Sequence, residues 1–138
     1  MSPSATPAAT PASTTVPIGR ALTYALAWIV PGGGHFLHGQ TRKALVFFVV
    51  LVTMFWIGLD CGGRLFAFEV SDPLVGLACL AEWAIGLPRI VGAMSGWGRG
   101  DVVATTYEYG NTFLIVAGLL NTLVVLDAGD LAAGSKRR

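Results

Sequence analysis

The chain has 138 residues, of which 54% are hydrophobic and only 12% are charged, and its formal net charge is +1. An average globular domain is about 25% charged, so a soluble domain of this length would lack the charge to coat its surface. The near-neutral balance also lacks the basic surface that nucleic-acid binding requires, so composition argues against a soluble enzyme or a nucleic-acid-binding protein.

Residues 1–19 differ in composition from the rest of the chain. Ala, Pro, Ser and Thr occupy 15 of these 19 positions, and none of the 19 is charged. The prolines prevent a continuous helix, and too few apolar side chains remain to form a core. We predict a disordered tail over residues 1–19, a membrane domain over residues 20–134 and a short basic end over residues 135–138.

The first apolar stretch, residues 20–38, is interrupted by glycine. Residues 31–34 read Pro-Gly-Gly-Gly, and a break of this kind inside lipid requires protein or water to satisfy the backbone. The stretch therefore either ends near Val30 and turns, or continues as a broken helix through residues 35–38.

Two histidines follow the break and allow two interpretations. His35 and His38 are three residues apart, so a helical turn would place them on one face. They are candidates for a metal or proton site, and a metal would need further ligands from Cys61, Cys79 or Glu82. Alternatively, they hydrogen-bond the exposed backbone of the turn or lipid headgroups. No cofactor is otherwise indicated.

The turn and the basic pair after it resemble a known bacterial pattern. Residues 27–43, AWIVPGGGHFLHGQTRK, resemble the turn of the small two-transmembrane-helix domain family, except that His38 interrupts that family's aromatic-Leu-Gly element. The residues that match are Pro31, Gly32, Gly34, His35, Phe36, Leu37, Gly39, Arg42 and Lys43. An Ala-Gly-x-x-Asn and a Leu-Asp-Ala within residues 107–134 are similar to longer uncharacterised bacterial membrane families related to that domain. The resemblance implies a multi-pass membrane protein of unknown biochemical function.

The second stretch, residues 44–59, is the clearest candidate for a membrane span. It reads ALVFFVVLVTMFWIGL, in which only Thr53 is polar, and a helix that is apolar on every face is typical of lipid surroundings. Its sixteen residues would span roughly 24 Å, short of a hydrocarbon core of about 30 Å. Arg42 and Lys43 can extend to the interface and make up the difference.

The third stretch, residues 73–93, contains an acid among apolar residues. Pro73 is typical of a helix start, and Pro88 predicts a kink or a stop. An acid in a membrane segment is costly and is by default a functional-site hypothesis. Glu82 is therefore either a proton or ion site, or the partner of Arg89 or Arg64.

The fourth stretch, residues 112–133, also contains polar residues. Asn111 is a candidate N-cap, and Gly134 is typical of a helix end. Asn121 lies inside the apolar run, and Asp127 lies at its end, where we expect the membrane boundary. There Asp127 is expected to dock against the basic pair after the glycine turn.

The predicted fold class is all-α, an integral membrane helical bundle of three to four transmembrane helices, the first of which is broken at residues 31–34. The nine basic residues do not orient such a bundle, because they divide five to four whether or not the first stretch crosses. We expect a multi-pass protein of the cell (inner) membrane, without a prediction of which end faces the cytoplasm.

The sequence favours a non-catalytic role. We expect a small integral membrane protein that contacts the lipid bilayer and no nucleic acid, and that packs with itself or with a larger membrane complex. The alternative is a small transporter or ion- or proton-conducting module that uses Glu82 and the broken first helix. A membrane-embedded metal-dependent enzyme using His35, His38 and Glu82 is a third interpretation, but no familiar catalytic motif accompanies these residues.

Overall fold

The computed structural model describes residues 18–134, and within that range the chain is helical without any strand. An isolated bridge between Arg64 and Arg99 joins two loops. Of the tail predicted over residues 1–19, residues 1–17 lie outside the described residues, as does the basic end over residues 135–138. Ile18 and Gly19, predicted to belong to the tail, instead form the start of the first helix. The six helices of the described range are α1 (Ile18–Ile29), α2 (Gly33–Leu37), α3 (Thr41–Asp60), α4 (Pro73–Trp83), α5 (Leu87–Met94) and α6 (Tyr107–Ala132).

Two helices, α3 and α6, are long and apolar enough to cross a membrane. They have 20 and 26 residues, which correspond to about 30 and 39 Å. Because α3 already begins at Thr41, it reaches the thickness of a hydrocarbon core, which the predicted sixteen residues did not.

The two long helices pack side by side in opposite directions. A Cβ on Gly58, near the end of α3, would lie 2.9 Å from the Leu114 side chain, near the start of α6. At the other end, Phe47 of α3 and Asp127 of α6 line the same groove. Their contact contributes most of the buried apolar core, which includes Leu51, Phe55, Leu59, Leu114, Ala117 and Val124.

The predicted N-cap of the fourth stretch is wrong, because α6 begins at Tyr107. Asn111 therefore lies inside the helix, where its Oδ1 accepts a hydrogen bond of 2.8 Å from the Arg64 N–H. The sequence did not indicate this first turn of α6, because residues 107–111 are mostly polar and precede the apolar run. The predicted end is close to the observed one, since α6 ends at Ala132 and Gly134 has a φ of +74°.

The first apolar stretch forms a hairpin. α1 ends at Ile29, and α2 folds back along it. A Cβ on Gly33 would lie 2.6 Å from the Leu26 carbonyl oxygen, and one on Gly34 would lie 3.2 Å from that of Thr23. In a continuous helix, residues 23 and 34 would be about 16 Å apart.

The third stretch forms a second hairpin, in which α4 and α5 differ in direction by 107°. The chain turns at Gly86, whose φ of 76° favours glycine. The break thus precedes Pro88, which lies in the first turn of α5 rather than ending a helix. Pro73 does begin α4, and the Asp72 side chain caps that helix by accepting from the Leu74 and Val75 N–H groups.

These two hairpins reduce the number of possible spans. Within the described residues, two helices qualify as spans, or three if the bent pair α4–α5 is counted as one. The twelve residues of α1 cover only about 18 Å. Four crossing helices, the upper end of the predicted range, therefore do not fit the lengths observed.

The first hairpin lies at the end of the bundle where α3 starts and α6 finishes, marked by Thr41 and Ala132 and called here the terminal end. A Cβ on Gly129, near the end of α6, would contact the Tyr24 ring of α1. A Cβ on Gly34 of α2 would lie 2.6 Å from the Ala128 side chain. Both arms of the hairpin therefore pack against the last turns of α6.

The second hairpin lies at the opposite end, marked by Asp60 and Tyr107 and called here the loop end. A Cβ on Gly92 of α5 would lie 3.1 Å from the side chain of Leu59, near the end of α3. The Trp97 ring, just beyond α5, packs edge-on against Trp56, with centroids 4.9 Å apart. The two hairpins therefore approach each other from opposite ends.

The tips of the two hairpins meet about halfway along α3 and α6. A Cβ on Gly86 would contact the Trp28 carbonyl oxygen and lie 2.8 Å from that of Ile29. Val30 also lines a groove together with Leu87. Residues 18–60 and residues 73–132 thus each form a hairpin followed by a long helix, and these two units run in opposite directions.

The approach of α4 to α6 provides a test of this packing. A Cβ on Gly118 would contact the Ala81 carbonyl oxygen, which belongs to the backbone and has little freedom to move. We expect Gly118→Ala to destabilise the protein by about 1–3 kcal/mol, as overpacking does. The measurement is thermal unfolding in detergent, followed by tryptophan fluorescence.

The matched control is Gly19→Ala, because Gly19 is helical and has nothing within 4 Å of its Cβ position. This control should unfold at or above the wild-type temperature. A Gly118→Ala protein that also unfolds at the wild-type temperature would contradict the packing described here.

Candidate functional site

Asn121 lies where the hairpin tips meet and is fully buried. Its Nδ2 group donates hydrogen bonds to the carbonyl oxygens of Ala84, at 2.8 Å, and Trp28, at 3.5 Å. These carbonyls belong to the C-terminal ends of α4 and α1, where the last C=O groups of a helix have no helical partner. A single side chain from α6 therefore hydrogen-bonds one backbone carbonyl at the tip of each hairpin.

Glu82 and Arg89 hold a loop inside the second hairpin. The Glu82 Oε2 accepts a hydrogen bond of 2.9 Å from the Phe66 N–H, and the Arg89 Nη2 donates one of 2.6 Å to the Phe66 carbonyl. The Arg89 guanidinium also lies over the Trp83 ring, 4.4 Å from its centroid. The N–H and C=O groups of Phe66, which lies outside any helix, are thus both hydrogen-bonded between α4 and α5.

The bend of the hairpin allows Glu82 and Arg89 to pair. Their positions are seven residues apart, which is about 10 Å along a straight helix. In the bent structure, the Arg89 Nε lies 3.7 Å from the Glu82 Oε2, and both residues are buried. Arg64, the other partner considered for Glu82, lies over the Phe66 ring at 5.9 Å.

At the terminal end, His35 is hydrogen-bonded to Asp127. Because a carboxylate only accepts, the His35 Nε2–H donates to the Asp127 Oδ2, at 2.8 Å. His35 is fully buried and packs edge-on against the Phe47 ring. Asp127 therefore docks on the glycine turn through His35, a partner that the sequence did not indicate, whereas Arg42 and Lys43 are exposed.

His38 has a different role from His35. It is exposed, and its Nδ1–H donates to the Gly34 carbonyl at 2.9 Å, as expected if a turn histidine bonds the backbone. Among residues 18–134, no group of three His, Cys, Asp or Glu side chains is arranged to hold a metal ion. Cys61 and Cys79 are free thiols, and Cys79 is buried.

The remaining residues of the turn motif shape the first hairpin. Gly32 has a φ of +81°, and a Cβ there would lie 2.5 Å from the Ala44 carbonyl oxygen. Gly34 is enclosed by Ala27 and Ala128, with Cβ distances of 2.9 and 2.6 Å. The turn thus needs glycine for close packing against α1, α3 and α6. Pro31 is buried, and the exposed motif residues are Phe36, Leu37, Gly39, Arg42 and Lys43.

The sequence indicated the buried polar side chains but not their backbone partners. Glu82, Asn121 and Asp127 stood out as polar residues in or beside apolar stretches. The Phe66 backbone gave no signal, because it lies in a loop that the pattern assigned to neither membrane nor site. The sequence did indicate Arg89 as a partner for Glu82, because these two charges flank the Gly-Leu-Pro at residues 86–88.

Comparison with known proteins places the chain in one family. The model of a family of unknown function (DUF6677) matches residues 22–137, which include nearly all of the helical region. No curated protein and no solved structure matches the chain.

Replacing Asn121 tests whether one amide joins the two hairpins. Asn121→Leu has a similar volume but leaves the Ala84 and Trp28 carbonyls without their donor. A buried polar group without a partner costs about 1–3 kcal/mol, so we expect a clear fall in the unfolding temperature in detergent. The control is Thr122→Val on the next residue, whose hydroxyl bonds only the Gly118 carbonyl of its own helix. Equal stability of the two variants would show that the amide does not join the hairpins.

Proposed function

The chain belongs to DUF6677, a family of unknown function, and we propose that it is a multi-pass protein of the cell (inner) membrane with a structural role. In this role it packs with itself or with a larger membrane complex. Two helices of spanning length support the membrane location. The resemblance of residues 27–43 to the two-transmembrane-helix domain family, which is bacterial, supports it as well.

The observation that carries the structural role is how the buried polar side chains are used. Asn121 bonds the ends of both hairpins, Glu82 and Arg89 bond the Phe66 backbone, and His35 bonds Asp127. Irregular backbone at membrane depth is stable only where protein or water satisfies it. These polar groups therefore serve to hold two hairpins in place, which is an architectural task.

An apolar groove beside the first hairpin provides a place for a partner to pack. It has a volume of about 430 Å³ and is lined by α1, the glycine turn, α2 and the start of α3. Val30, Pro31 and Gly32, where the chain is not helical, form part of its wall. A helix of a second copy or of another membrane protein would cover this backbone as well as the apolar side chains.

Filling the groove should prevent this packing. Leu45 lines the groove and is 61% exposed, so we expect Leu45→Trp to weaken association at least about tenfold, a loss of about 1.4 kcal/mol. Association is measured by light scattering of the purified protein in mild detergent and by identification of co-purified membrane proteins.

The matched control is Leu123→Trp, since Leu123 is also 61% exposed but lies on α6, outside the groove. This variant should associate like wild type. A wild-type chain that is monomeric and brings down no membrane protein would contradict the proposed role. Equal loss in both variants would show that the groove is not the contact.

Two observations favour a second candidate function, ion or proton conduction. Half-length helices that meet near the middle of a membrane, in repeats of opposite direction, are found at the binding sites of many transporters. In addition, the Glu82 Oε1 is buried and accepts no hydrogen bond from the described residues.

Glu82→Gln distinguishes the two candidates. The amide oxygen can still accept from Phe66, but Arg89 loses its charged partner, and breaking a buried ion pair costs about 3–5 kcal/mol. The structural role predicts lower thermal stability and weaker assembly, with no ion or proton flux in wild-type proteoliposomes. Wild-type flux that Glu82→Gln abolishes without loss of assembly would favour conduction. Glu108→Gln, at an exposed acid of the loop end, is the control.

A further inference from the structure

The charged residues divide unequally between the two ends of the bundle. At the loop end, Arg64 and Arg99 are outnumbered by five exposed acids, which are Asp60, Glu69, Asp72, Asp101 and Glu108. At the terminal end lie Arg20, Arg42 and Lys43, together with two acids, the exposed Asp130 and Asp127, which is bonded to His35. Arg42 and Lys43 are exposed in the first turn of α3. The sequence adds three more basic residues within six positions of Ala132.

The hairpins are the reason for this asymmetry. A first stretch that crossed the membrane would put Arg42 and Lys43 on the side opposite Arg20. Because α2 returns along α1, all three lie at the terminal end, which is also where α6 finishes. Arg89 is buried in the second hairpin and belongs to neither end. Among the described residues, three basic residues therefore lie at the terminal end and two at the loop end.

We propose that the terminal end faces the cytoplasm and binds the anionic phospholipid headgroups of the inner leaflet through Arg20, Arg42 and Lys43. This inference rests on the proposed membrane location. Lys and Arg near the ends of spanning helices are retained on the cytoplasmic side. Each basic residue near an anionic leaflet strengthens binding about fivefold, while the five acids of the loop end repel such headgroups. Residues 61–72 and 95–106 consequently face the outside.

Cysteine labelling in membranes tests the orientation. Ser71→Cys marks the loop end and Thr41→Cys marks the terminal end, and both positions are exposed. Each is made in a Cys61→Ser background that retains Cys79, which is 1% exposed. An impermeant maleimide should label Ser71→Cys in intact spheroplasts, and Thr41→Cys only after permeabilisation. The reverse pattern would overturn the proposal.

Lipid binding is tested on the full chain in neutral detergent with fluorescent phosphatidylglycerol as the probe. The double variant Arg42→Gln/Lys43→Gln should retain at least about fivefold less probe than wild type. The control Arg64→Gln/Arg99→Gln, at the loop end, should retain as much as wild type. Equal losses in both double variants, or no loss in the first, would overturn the lipid surface.

Extraction with alkaline carbonate separates the failure of this inference from failure of the proposed function. A chain that is extracted from membranes would overturn the membrane location and this inference together. A chain that resists extraction but labels in the reverse pattern overturns the orientation alone.

Discussion

Backbone that leaves the helical conformation inside a membrane must find its hydrogen bonds within the protein, and Asn121 provides them for both hairpins at once. Its amide bonds the ends of α1 and α4 from the middle of α6. Glu82 and Arg89 do the same for the Phe66 backbone. The buried polar residues are thus a consequence of the two breaks, and the breaks in turn allow half-length helices to fill the space beside two long ones.

Glycine makes the same arrangement possible sterically. Gly86 combines a left-handed φ with contact to the Trp28 carbonyl, and Gly118 brings α4 against α6 without a side chain between them. The result is two units, each a hairpin followed by a long helix, that run in opposite directions. That arrangement places both flanks of the first hairpin and the end of α6 at one end of the bundle, and it therefore determines which charges lie together there.

The all-α class, the long apolar helix α3, the break at residues 31–34 and the helix start at Pro73 follow from local patterns that the sequence displays directly. The sequence does not show that the chain folds back at each break, because hydropathy indicates which residues are buried and not the direction in which the chain runs. Gly86 was one glycine among 18, and the seven-residue spacing of Glu82 and Arg89 acquires meaning only through the 107° bend. The same limitation left the charge count undecided until the hairpins were known.

Pulsed electron paramagnetic resonance on the chain in lipid bilayers tests the opposed hairpins most directly. Spin labels at Gly19→Cys and Ser71→Cys mark the outer ends of the two hairpins. Opposed hairpins predict a separation of about 30 Å or more between these labels, the thickness of the hydrocarbon core. They also predict a much shorter distance between labels at Ser71→Cys and Ser95→Cys. A short Gly19–Ser71 distance, or a Ser71–Ser95 distance equal to the bilayer thickness, would show that these stretches cross the membrane and do not form opposed hairpins.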